Sequence, residues 1–256
     1  MALAVAALLE RRPAALAARR ALAQGGVRLV LARSPVALAT LLHHELLDAV
    51  LVGLEAARGP VLDALRRDYP AVPLILCGPV RAEDAALLQR AARSRVAGLV
   101  VEGLDEPLLG RLLARQGMTA RRRDALLPLA PALGLTDPLQ QRAWEVVVSE
   151  APSGLETATL AARLEVARET LSRRFAAGGA PSLKQAIDTV RLVAASQLLG
   201  NPAYGVADVA HLLGFSSPSL LHRTARRTLG VPLRDVAHLE GPRLVDRLRD
   251  APAGWR

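Results

Sequence analysis

The chain has 256 residues, enough for two ordinary domains each with its own core. Lysine and arginine number 33 against 24 aspartates and glutamates, a net charge of +9, and this suits a nucleic-acid partner without proving one. Cys77 is the only cysteine, which excludes an intramolecular disulfide and a thiolate metal cluster and fits a reducing compartment.

The first residues, M-A-L-A-V-A-A-L-L-E-R-R, are apolar without a basic leader. Their apolar run is too short for a signal peptide, and no stretch reaches the roughly 20 apolar residues of a membrane helix. A soluble, cytoplasmic protein is the expectation.

Residues 1–115 alternate short apolar runs with amphipathic segments. Strands are expected at Ala2–Leu9, Val27–Ala32, Ala49–Leu54, Pro73–Cys77 and Gly98–Val101. Helices are expected at Ala14–Ala23, Pro35–Glu45, Pro60–Arg67, Glu83–Arg93 and Pro107–Ala114. Apolar strands alternating with helices predict a doubly wound α/β domain, a five-stranded parallel sheet covered on both faces. Residues 116–136, with Arg121-Arg122-Arg123 and two prolines among leucines and alanines, read as a linker. At Asp137-Pro138 a cap residue followed by a first-turn proline starts a helix that runs to about Glu150. Residues 137–256 then form an all-α second domain.

Within it, two similar patterns follow in series. Thr159 to Phe175 reads T-L-A-A-R-L-E-V-A-R-E-T-L-S-R-R-F, with Leu160, Ala161, Leu164, Leu171 and Phe175 apolar. Val206 to Arg227 reads V-A-D-V-A-H-L-L-G-F-S-S-P-S-L-L-H-R-T-A-R-R, with Val209, Ala210, Leu213, Leu220 and Leu221 in similar places. Each predicts a short helix, a tight turn and a second helix with an arginine-rich outer face. Gly214-Phe215 forms the second turn, and Ser216 or Ser217 caps the helix after it.

In the first unit Arg168, Glu169, Ser172 and Arg173 lie opposite Leu171 and Phe175. Arginine can pair bidentately with guanine, glutamate can accept from cytosine, and serine is versatile. In the second unit Leu220 and Leu221 turn inward, leaving Ser219, His222, Arg223 and Arg226 for the groove and the phosphates. The intervening helix, Ser182–Leu199, spans on the order of 25 Å. That length suits two helices entering successive major-groove turns, about 34 Å apart.

At these residues the chain resembles the C-terminal domain of the AraC/XylS family of transcription regulators, over roughly Leu155 to Arg234. The best-matching runs are L-A-A-R-L…L-S-R-R-F, R-L-V-A-A-S-Q-L-L and V-A-D-V-A-H-L-L-G-F-S-S-P-S-L-L-H-R. The resemblance implies base-reading positions at Glu169, Ser172 and Arg173, and at Pro218, Ser219, His222 and Arg223. Ala225 and Leu233 depart from the aromatic and the proline usual at those places, and Pro218 has no side-chain donor. The second unit therefore stands between base reading and a grip on phosphates. Implied partners are double-stranded DNA, RNA polymerase and a second copy of the chain, with no membrane, cofactor or metal.

The (βα)5 order of residues 1–115 resembles a response-regulator receiver domain, by pattern rather than motif. The resemblance implies a phospho-acceptor aspartate after the third strand, an acidic pair after the first and a lysine after the fifth. Here Gly53 holds the acceptor place, Glu10 follows the first strand alone, and Glu102 stands for the lysine. A pseudo-receiver that is not phosphorylated, serving dimerisation or signal sensing, is the expectation. Two other functions compete with it. Cys77, at a strand-to-helix turn, would be the nucleophile if this half were a cysteine-dependent enzyme, although His43 and His44 do not suggest an assembled partner. A protein-interaction adaptor with weakened DNA reading is the other.

Overall fold

The apolar runs become five parallel strands. In the computed structural model, which describes residues 3–239 and 241–249, these are β1 (Ala4–Leu8), β2 (Arg28–Ala32), β3 (Ala49–Gly53), β4 (Leu74–Gly78) and β5 (Gly98–Val101). Their order is β2-β1-β3-β4-β5, every neighbouring pair parallel, with Val5 opposite Leu29 and Ala49, and Ile75 opposite Gly98. Every residue of β1, β3 and β4 is buried, as expected where helices cover both faces of a sheet. Ala2, at the start of the expected first strand, and residues 250–256 of the expected second domain lie outside the described residues.

Helices α1 (Arg12–Gln24), α2 (Pro35–His44), α3 (Leu54–Arg58), α4 (Val61–Asp68), α5 (Ala85–Arg93) and α6 (Leu109–Gln116) connect and follow the strands. Ser34 caps α2, its hydroxyl accepting from the Ala37 N–H at 3.1 Å. The five-residue α3 went unforeseen, because L-E-A-A-R is too short for its periodicity to show. Ahead of β3, buried Asp48 accepts from the backbone N–H groups of Ala4 (3.2 Å) and Thr119 (3.0 Å), which fixes the start of the sheet.

The described residues group into two units, one within Met1–Arg121 plus Gly200–Gly205, the other within Arg122–Leu199 and Val206–Arg256. The short segment in the first unit is held by side chains that no local pattern announces. Asn201 Oδ1 accepts from the Ala71 N–H (2.8 Å), and the Tyr204 hydroxyl donates to the Leu42 carbonyl (2.9 Å). The Tyr204 ring meets those of Tyr69 and His43 edge-on, with centroids 5.3 and 5.4 Å away.

The stretch read as a linker is helical over α7 (Met118–Leu126). Its arginine run is not a free basic tail: Arg122 is buried with its Nε donating to the Val148 carbonyl (3.0 Å), and Arg123 donates to the Ser149 hydroxyl (2.6 Å). The Trp144 indole N–H closes the C-terminal end of α7 on the Leu126 carbonyl (3.1 Å). Charge and proline content hid this helix, because its buried Met118, Ala120, Arg122 and Leu126 do not form an apolar stripe.

The remaining helices are α8 (Pro138–Glu150), α9 (Thr157–Arg163), α10 (Arg168–Phe175), α11 (Leu183–Leu199), α12 (Val206–Leu212), α13 (Pro218–Leu229), α14 (Leu233–Val236) and α15 (Gly241–Arg249). Asp137 caps α8 in a reciprocal box with Gln140, on the Asp-Pro signal read from the sequence. The second unit's core gathers Trp144, Val147, Leu160, Leu171, Phe175, Val190, Leu192, Val209, Leu213, Leu221 and Leu229, each at most 2% exposed.

Candidate DNA-reading surface

The pairs α9–α10 and α12–α13 are two helix-turn-helix units built on the same turn. In the first, Glu165 takes a left-handed φ of 56° and Val166 N–H returns to the Ala161 carbonyl (3.1 Å). In the second, Gly214 has φ 68° and Phe215 N–H returns to the Ala210 carbonyl (2.8 Å). Both close the preceding helix through a left-handed residue. Glycine suits that geometry, whereas Glu165 adopts it at a steric cost.

The helices that follow start differently. Ser217 caps α13, its hydroxyl accepting from the Leu220 N–H at 3.2 Å, with Pro218 at the first turn. Ala167 stands at the same place before α10 and offers no side-chain cap. Gly230, at φ 67°, ends α13.

On α10, Leu171 and Phe175 are wholly buried while Arg168, Glu169 and Arg173 are exposed and Ser172 is half-buried. These four share the face away from the core, as i, i+1, i+4 and i+5 positions require. On α13, Ser219, His222, Arg223 and Arg226 are exposed, as is Pro218. Leu221 is buried as expected, but Leu220 is only half-buried. The inward positions are Leu221, Thr224, Ala225, Thr228 and Leu229, so of the two expected leucines only Leu221 joins the buried stripe. Small Ala225 is fully buried.

Two arginines outside the expected set brace the second unit. Arg191 of α11 lies over the Phe215 ring, 4.0 Å from its centroid, and donates to the Leu213 carbonyl. Burial pushes this guanidinium below its ordinary pKa. Arg227 meets buried Asp188 of α11 at 3.1 Å, and Lys184 lies 3.5 Å from the same carboxylate. The Asp188–Arg227 contact joins two helices through residues 39 positions apart and has no local signal in the sequence.

In the α/β unit, the carboxyl ends of the strands bring Glu10, Gly53, Cys77 and Glu102 around one cleft. A Cβ at Gly53 would overlap Glu10 Oε2, so that carboxylate fills the space beside Gly53. Glu102 pairs with Arg11 at 2.7 Å, while Arg58 pairs with Glu55 (2.6 Å) and buried Asp84 (2.7 Å). Cys77 is 2% exposed within the sheet core, and His43 lies in the aromatic group described above. Among the described residues, no three His, Cys, Asp or Glu are grouped to hold a metal, and no helix is long and apolar enough to cross a membrane.

Residues 160–238 match a family model described as a helix-turn-helix domain. The matched segment takes in the turn and second helix of both units. No curated protein sequence matches the chain. Among solved structures, full-length FixJ from B. japonicum is 13% identical, covering 89% of this chain and 98% of its own, with a TM-score of 0.39. RcsB from Salmonella enterica serovar Typhimurium, bound to promoter rprA, is 15% identical over 73% of this chain and 98% of its own, at 0.38. Response regulator StyR is 14% identical over 84% and 99%, also at 0.38. The five-stranded parallel sheet is established by its own strand order.

Proposed function

We propose that the chain is a sequence-specific DNA-binding transcription regulator whose α10 and α13 address two DNA blocks. The supporting observation is the exposure of Arg168, Glu169 and Arg173 on a helix anchored by fully buried Leu171 and Phe175. Arg168, Glu169, Ser172 and Arg173 supply direct readout. On α13, Ser219, His222 and Arg223 meet base edges or phosphates, and Arg226 grips phosphate. The functional domains follow the sequence, with an α/β half over 1–115 and a DNA-binding half over 137–256. The α/β half is a pseudo-receiver, not phosphorylated at Gly53, that serves dimerisation or signal sensing rather than catalysis. RNA polymerase and a second copy of the chain are its further partners.

Selection of bound sequences from a random duplex library by the full-length protein at near-physiological salt tests this. Recovery of one site with two blocks about a helical turn apart is expected. Recovery of one block reduces α13 to a phosphate grip, and no enrichment overturns the proposal.

A further inference from the structure

The N-terminal cap of α8 and the C-terminal end of α10 form one hydrogen-bonded knot. Asp137 Oδ1 accepts from the backbone N–H groups of Leu139 (2.8 Å) and Gln140 (3.4 Å). Gln140 Oε1 accepts from the Asp137 N–H at 2.9 Å. That box uses one end of the Gln140 amide. The other end, Nε2, donates toward the carbonyls of Arg174 (3.1 Å) and Phe175 (3.0 Å) at the end of α10 and of Ala177 (3.3 Å) just beyond it. Asp137 Oδ2 meets the Arg174 guanidinium at 2.7 Å. Gln140 itself is 2% exposed.

The last carbonyls of any helix lack partners within it. α10 has eight residues and no side-chain cap at its start, and a helix that short depends on tertiary contacts for its order. The tie at its end therefore governs how the whole of α10 is presented. The twelve-residue α13 has its own serine cap and left-handed glycine stop.

We infer that Gln140, with Asp137, is a positioning residue for α10, setting the angle at which Arg168, Glu169, Ser172 and Arg173 meet DNA. This rests on the reading of α10 as a base-reading helix. It places a determinant of recognition outside the matched segment 160–238.

Gln140→Met keeps length and approximate volume while removing both amide functions. Asp137→Asn, a milder second variant, keeps a capping oxygen but removes the charge beside Arg174. Amide hydrogen exchange without DNA reads the tie directly. In Gln140→Met, exchange should rise about tenfold or more across 168–175 and stay unchanged across 218–229. Affinity is then measured on the selected site and on versions with either block scrambled. A loss of about tenfold is expected wherever the α10 block is intact, and none where it is scrambled. Asp137→Asn should show a smaller loss of the same pattern. Unchanged exchange in α10, or equal losses with and without its block, overturns the inference. A wild-type protein with no block preference removes the DNA-reading proposal and this inference together. A preference left whole in both variants removes the inference alone.

Discussion

The carboxylate of Asp188 on α11 lies 3.1 Å from the guanidinium of Arg227 on α13, with the aspartate side chain 8% and the arginine 36% exposed. A nearly buried carboxylate needs its partners, because removing one leaves a charge without compensation. Arg227→Met should therefore destabilise the second unit by about 1–3 kcal/mol, below the range for a fully buried pair because this arginine is partly solvated and Lys184 remains. Asp188→Asn should cost less, since the amide can still accept. Urea midpoints at constant slope measure both, and equal midpoints for wild type and Arg227→Met would show the contact to be idle.

Helices α10 and α13 differ at the residue that precedes each. Ser217 caps α13 whereas Ala167 offers α10 nothing. Ser217→Ala should lower stability by about 1 kcal/mol, and Ala167→Ser should raise it by a similar amount. Thermal unfolding of the single and double variants checks the pair. A destabilising Ala167→Ser would mean that the turn after Val166 cannot present a side-chain oxygen to the helix.

On DNA the arginines should separate into two kinds. Arg173→Ala is expected to cost about 1–3 kcal/mol and to relax preference at one base position. Arg226→Ala should weaken every sequence alike and make the log–log salt dependence shallower by about 1. Titrations at several salt concentrations, on the selected site and its single-base variants, distinguish the two. A uniform small loss for Arg173→Ala would move α10 from base reading to backbone contact.

Local patterns were legible in this chain and long-range ties were not. The strands showed because Ala49–Gly53 and Leu74–Gly78 are apolar throughout and bounded by turn-formers. The start of α8 showed because Asp-Pro is a strong local signal. Helix α7 did not, since its buried Arg122 looks like any surface arginine until the Val148 carbonyl is seen to receive it. On α13 the half-buried Leu220 was not legible, because polar Thr224 and Thr228 take core positions that an apolar pattern does not mark. Nothing near Gln140 in sequence announces carbonyls more than thirty residues away.

Acid should destabilise both units through identifiable carboxylates. Hydrogen bonds from Arg58 and then from the Arg81 backbone hold Asp84 below the ordinary carboxylate range, and the Arg174 hydrogen bond does the same for Asp137. A carboxylate depressed in the folded state stabilises it above the ordinary value, and that contribution is lost as pH falls through the folded value. Stability should hold at neutral pH and decline below about pH 4. Asp84→Asn should flatten the decline. Parallel profiles of urea midpoint against pH, for wild type and variant, would remove Asp84 from the account.

Phosphoryl transfer at the end of β3 should fail for reasons that one substitution does not repair. On the pseudo-receiver reading proposed above, the acceptor place falls at Gly53, and the Glu10 side chain occupies the space beside it. Glu102, paired with Arg11, puts an anion where a cation would meet the phosphoryl group. Incubated with acetyl phosphate and magnesium, the wild-type protein should show no phosphoryl adduct by intact mass. Gly53→Asp alone should show none either, because the new carboxylate would lie against Glu10 with Glu102 still unfavourable. An adduct on the wild-type chain that is stable in acid would mark a different acceptor. An adduct on Gly53→Asp, absent from wild type and released by hydroxylamine, would show that this site retains the rest of the chemistry.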